Sequence, residues 1–172
     1  MYGDPLNVVD VLGIAPDLNL LTPGSDDWVA AQAINEPGYF TVAAHGNSFA
    51  VYLGGDIPNV AAVPLSASEL ANLIRVRLLL SGQNHNRPIL LVACSTGGSA
   101  GFGNLNFAQK LSNALNYEVW APNTLVWPLY NGSFSPVFPL YPPAIADKPT
   151  DLVPDYSYLG QFQQFMPSSE SK

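Results

Sequence analysis

Positive charge is scarce in this sequence. Six Lys and Arg stand against thirteen Asp and Glu over 172 residues, a formal net charge of −7 at pH 7. Such a balance repels phosphate backbones and acidic headgroups, which argues against nucleic-acid and membrane-surface roles. Cysteine is scarcer still, with Cys94 standing alone. One thiol excludes an internal disulfide, and two histidines without a Cys pair make a zinc site unexpected. Neither a metal nor an organic cofactor is called for. Long apolar runs are missing as well, none approaching the ~18 residues of a membrane span. No basic region followed by an apolar block opens the sequence, so no secretory signal is expected. The length suits one domain with a sizeable core. Charged residues reach only 11% against 48% hydrophobic, so part of the surface should be apolar and suited to a partner.

What is present is organised around Ile89-Leu90-Leu91-Val92-Ala93-Cys94-Ser95-Thr96-Gly97-Gly98. The apolar run does not alternate, as expected of a strand buried on both faces, and two glycines close it. In an open α/β sheet, the residue at such a strand's carboxyl end stands where ligands bind. That residue is Cys94. A second apolar run, Tyr39 to Ala44, halts at His45-Gly46-Asn47, and Phe49 to Leu53 reads as its return strand. Ser25 before Asp26 and Asp27 predicts a helix start. Ser66 and Glu69 have capping-box spacing ahead of Leu70, Leu73, Ile74 and Leu78, with Gly82 as the stop. Phe107, Leu111 and Leu115 mark a further helix. Tyr117 to Pro122 predicts a third sheet strand, with Thr124 to Trp127 as its neighbour. Half of the sixteen prolines lie from Pro122 to Pro154 among aromatic residues. They predict an irregular segment wrapped over the domain rather than interior strands. Pro167 to Lys172 should be loose.

Two predicted strands thus end in reactive residues. If they are parallel neighbours, the imidazole of His45 and the thiol of Cys94 can face each other at the sheet edge, as Cys/His nucleophilic catalysis requires. The imidazole and the positive end of the following helix would favour thiolate. Backbone N–H groups of Gly46 and Cys94 are candidates for an oxyanion hole, and glycine at 46 would let substrate backbone approach. Asp56 could orient His45. Ser95, Trp120, Trp127 and Asp56 are candidates for the substrate pocket, whereas His85 reads as a solvated loop residue.

His-Gly after one buried strand and Ala-Cys after a later one resemble the caspase-like clan CD cysteine peptidases. Ala93 to Gly97, Phe107 to Leu111 and Val119 to Pro122 are similar in order and spacing to the toxin-borne members of that group. The resemblance spans about Tyr39 to Trp127 and implies His45 as base and acid, Cys94 as nucleophile, and a protein substrate. Its autoprocessing members are switched by inositol hexakisphosphate through clustered cations. Arg75, Arg77, Arg87, Lys110, Lys148 and Lys172 are not concentrated, so that activation is not expected here. Pro5, Asp10 and Gly13, with Val11 in place of a usual proline, resemble the segment that ends the shell of Rhs/YD-repeat proteins. That resemblance implies a delivered effector toxin acting in the cytoplasm of a target cell, with a cognate immunity protein. The expected organisation is an Rhs-type remnant over 1–13, a caspase-like α/β domain over 14–166 with a mainly parallel sheet flanked by helices, and a tail over 167–172. Two rivals remain: a caspase-like adaptor with an unused site, and a serine hydrolase in which Ser95 occupies a nucleophile elbow.

Overall fold

The computed structural model describes residues 15–56, 61–82, 87–128, 134–140 and 153–168. The chain begins with β1 (Leu18–Asn19), α1 (Asp26–Ala31) and β2 (Phe40–Ala43). A small antiparallel sheet follows from β3 (His45–Gly46), β4 (Val51–Leu53) and β5 (Val63–Leu65). Then come α2 (Ala67–Ser81), β6 (Ile89–Val92), α3 (Phe107–Leu115) and β7 (Val119–Pro122). The carboxyl-terminal part holds β8 (Val126–Pro128), β9 (Phe134–Leu140), β10 (Val153–Leu159) and β11 (Phe162–Phe165). The main sheet runs β1-β2-β6-β7-β11, with its first four strands parallel and β11 antiparallel to β7. It is a mixed α/β fold whose sheet is flanked by helices.

The helices form where local chemistry directs them. Ser25 caps α1 by accepting from Trp28 N at 3.1 Å. Ser66 and Glu69 complete a capping box on α2, and Gly82 ends it at φ 61°, a conformation that costs glycine little. Side chains of β6 alternate between the two faces. Ile89 and Leu91 join Leu70 and Ile74 of α2 and Phe107 and Leu111 of α3. Leu90 and Val92 point the other way, toward Ala31 and Ile34. Each fully buried side chain of this size contributes about 1.5–3 kcal/mol, so β6 is held firmly from both sides.

The carboxyl-terminal segment departs from expectation. Val126–Pro128 does not neighbour β7; it pairs with β9, and β11 takes the place beside β7. Aromatic spacing explains the exchange, because β11 carries Phe162 to one face of the sheet and Phe165 to the other. The proline-rich stretch is also less irregular than its composition predicts. Among the described residues it forms the sheet β10-β9-β8, with β9 interior despite Pro136 and Pro139. Val137 N donates to Leu125 O at 2.9 Å, so Val126–Pro136 is a non-hydrogen-bonded pair and Pro136 owes β8 no donor, while on its other side the β9–β10 ladder shifts register between Pro154 and Leu159. The chain remains tied as far as Ser168, whose N–H donates to Asn113 Oδ1 at 2.9 Å. The Rhs-like residues, His85 and residues 141–152 lie outside the described residues.

Candidate active site

Strand register brings the two reactive residues together. Parallel pairing of β2 with β6 sets Phe40 against Ile89, Thr41 against Leu90, Val42 against Leu91 and Ala43 against Val92. Ala44 N donates to Val92 O at 3.2 Å, the last bond of this ladder. His45 and Cys94 each lie two residues beyond the last pair, on strands that run ~4.8 Å apart. Both residues line one cleft of about 120 Å³. Its walls come from Ala43 and Ala44 after β2, Val92 and Ala93 after β6, the α1 side, and Val126 with Phe134.

His45 is oriented by Asp56, which accepts at Nε2. Asp56 is itself held: its Oδ2 accepts from Thr22 N at 2.6 Å, and its N–H donates to Thr22 Oγ1 at 3.4 Å. Gly54 N donates to Leu20 O at 2.8 Å, which folds the segment after β4 back beside the end of β1. The Asp56 side chain is only 4% exposed. Burial by itself would raise its pKa, but the Thr22 N–H bond and the bond and charge of His45 outweigh that and hold the carboxyl below its ordinary range. A second carboxylate, Asp27 of α1, has Oδ2 3.8 Å from His45 Nε2 and is half exposed.

Cys94 faces Val126. Its sulfur accepts from Val126 N at 3.4 Å, and its thiol donates to Val126 O at 3.9 Å. Burial pushes the thiol pKa up and the Asp27 charge adds to this, while the Val126 N–H offsets part of it. Burial thus works against the thiolate expected from sequence. The helix that was to assist is remote in the chain: α3 begins only at Phe107, and its cap Asn106 donates to Gly97 O at 2.9 Å.

Gly46 also has a packing role. A Cβ there would stand 2.8 Å from Thr96 Cγ2 and 3.1 Å from Ala93 Cβ. The glycine thus lets the two site-bearing turns pack together. Thr96 cannot give way easily, being fully buried with its hydroxyl donating to Ala93 O at 2.8 Å. Gly46→Ala should cost about 1–3 kcal/mol in urea unfolding and push the two turns apart. An unchanged midpoint would contradict this packing. The Asn47 N to Ala50 O bond of 2.9 Å makes Gly46–Val51 the non-hydrogen-bonded pair, so the Gly46 N–H turns away from β4. The Cys94 N–H donates to no other residue among those described.

The remaining predicted pocket residues do not line this cleft. Ser95 adopts a left-handed conformation at φ 55°, and its N–H donates to Thr124 O at 2.8 Å. Trp120 packs edge-on against Tyr39 with ring centroids 6.5 Å apart, and its Nε1 donates to Glu118 Oε1. Trp127 donates from Nε1 to Val137 O at 3.2 Å. Asp56 acts on His45 rather than on the cleft. Asp27, Thr22 and Val126 are the site residues that sequence reading missed. Only Asp27 left a trace, in its spacing from Ala30, Ala31 and Ile34. Asp27, His45 and Asp56 are also the residues that could hold a divalent cation, with ligand atoms all within 4.8 Å of one another.

A family model described as a domain of unknown function, DUF8616, matches residues 16–136. The chain belongs to the DUF8616 family. No curated protein and no solved structure matches it. The region matched in this DUF8616 chain includes Thr22, Asp27, His45, Asp56, Cys94, Val126 and Phe134, so the whole cleft lies inside the family domain.

Proposed function

We propose that this domain is a cysteine endopeptidase of caspase-like arrangement. The observation that carries the reading is that His45 and Cys94 line one cleft, each two residues past the last pair of the parallel strands β2 and β6. With Nε2 held by Asp56, Nδ1 is the nitrogen left to take the thiol proton. With the thiol pKa raised, proton transfer to His45 accompanies attack of Sγ on the substrate carbonyl. The N–H groups of Gly46 and Cys94 would hold the oxyanion. His45 then protonates the leaving amine, and water, deprotonated by the same imidazole, releases the acyl group from sulfur.

The rival with Ser95 as nucleophile has its left-handed backbone in its favour. It lacks the helix that should follow such an elbow directly, and Ser95 stands outside the cleft. The residues resembling an Rhs shell support a setting as a delivered effector acting inside a target cell, with an immunity protein that covers the cleft.

The test is to map new protein termini in cells expressing wild type or Cys94→Ala. Wild type should generate cleavages that the variant does not, and they should survive EDTA in extracts. Identical termini from two folded proteins would overturn the enzyme and favour an adaptor. Loss of the cleavages with EDTA would favour a cation on Asp27, His45 and Asp56.

A further inference from the structure

We propose that the cleft beside Cys94 takes a basic side chain, Lys or Arg, from the residue whose carbonyl is attacked, with Asp27 meeting its charge. This rests on the cysteine-peptidase reading. The reacting carbonyl must approach Sγ to about 3–3.5 Å. The side chain on the adjoining Cα is then the part of the substrate nearest the cavity that contains Sγ.

The chemistry of that cavity is one-sided. Asp27, Ala30 and Ala31 of α1 line it at helical spacing i, i+3 and i+4, joined by Ile34 just past the end of the helix. The two alanines leave room and apolar surface for an aliphatic stem, and Phe134 lines it as well. At one end of that stripe stands the Asp27 carboxylate, 3.8 Å from His45 Nε2. Among the described residues no Lys or Arg lines the cleft, so a cation arriving there meets no like charge from those side chains. Uncharged stems of the same shape would gain the apolar contacts and forgo the ion pair. A bound cation would also neutralise the charge that disfavours thiol ionisation at Cys94, so the matching substrate would help to activate its own nucleophile.

Paired peptides test this, built on a mapped cleavage site with lysine or norleucine before the scissile bond. Norleucine keeps the stem and removes the ammonium. Wild type should favour lysine about tenfold in kcat/KM, a modest factor because Asp27 is half exposed. Asp27→Asn should bring the ratio close to one. Equal rates in wild type would overturn the subsite while leaving the peptidase standing. A fall of the same size on both peptides in Asp27→Asn would place Asp27 on His45 instead, and also overturns it. A wild type whose cleavages match those of Cys94→Ala removes the peptidase reading and this inference with it.

Methanethiosulfonates give a readout without turnover. Sγ forms a disulfide with the reagent and methanesulfinate leaves. The trimethylammonium reagent should outpace the sulfonate in wild type, and this excess should shrink in Asp27→Asn. An excess unaltered by the substitution would remove Asp27 from the assignment.

Discussion

His45→Ala should lower peptide cleavage by about 10²- to 10⁴-fold without unfolding the protein. Cys94→Ala should abolish acyl-enzyme formation altogether. His45 is partly exposed and lies after the buried part of β2, so its removal leaves both packed layers in place. The two residues act in one step, and the double variant should therefore be no slower than Cys94→Ala alone. Iodoacetamide gives a second check. The half-buried wild-type thiol, its pKa raised, should label more slowly than a free cysteine at neutral pH, and labelling should rise through and beyond the ordinary thiol pKa of 9.0. Near neutral pH His45→Ala should slow it further, because the imidazole is the nearby proton acceptor. Labelling indifferent to His45 would separate the two side chains chemically, whatever their alignment.

Asp56→Asn carries the next largest effect, with a distinct pH signature. The amide can no longer hold the imidazole by charge, and cleavage should fall about 10- to 100-fold, as for other groups that orient a working histidine. Stability should fall too, by about 1–3 kcal/mol near neutral pH, since a buried carboxylate accepting from Thr22 and His45 is lost. The sign of the pH dependence follows from the depressed folded pKa of Asp56. Its contribution is complete above the unfolded value, near 3.8, and disappears as pH falls through the lower folded value. The gap between wild type and Asp56→Asn in urea unfolding should therefore be widest at neutral pH and shrink below about pH 4. A gap constant down to pH 2 would mean that the carboxylate is not preferentially charged in the folded protein.

Much of the fold was legible because its signals are local. Ser25, Ser66 with Glu69, and Gly82 mark helix ends through hydrogen bonds spanning three or four residues. The run Ile89 to Val92 announces a doubly buried strand by lacking alternation. His45 and Cys94 could be singled out for the same reason, since each follows such a run. The carboxyl-terminal part was misread because proline counts against a strand only where the missing donor is needed. At Pro136 it is not needed, and which strand borders β7 depends on where Phe162 and Phe165 find apolar surface.

The amino-acid sequence by itself determined the three central sheet strands β2, β6 and β7, the caps, and which imidazole and thiol follow those strands. Tertiary structure alone decided the register that brings 45 and 94 to one cleft, the hold of Thr22 on the Asp56 that pairs with His45, and the burial that raises the thiol pKa. It also placed the Asp27 carboxylate in the cleft. Periodicity and capping are encoded within a few residues. Charge, burial and alignment depend on groups that meet only after the chain has folded.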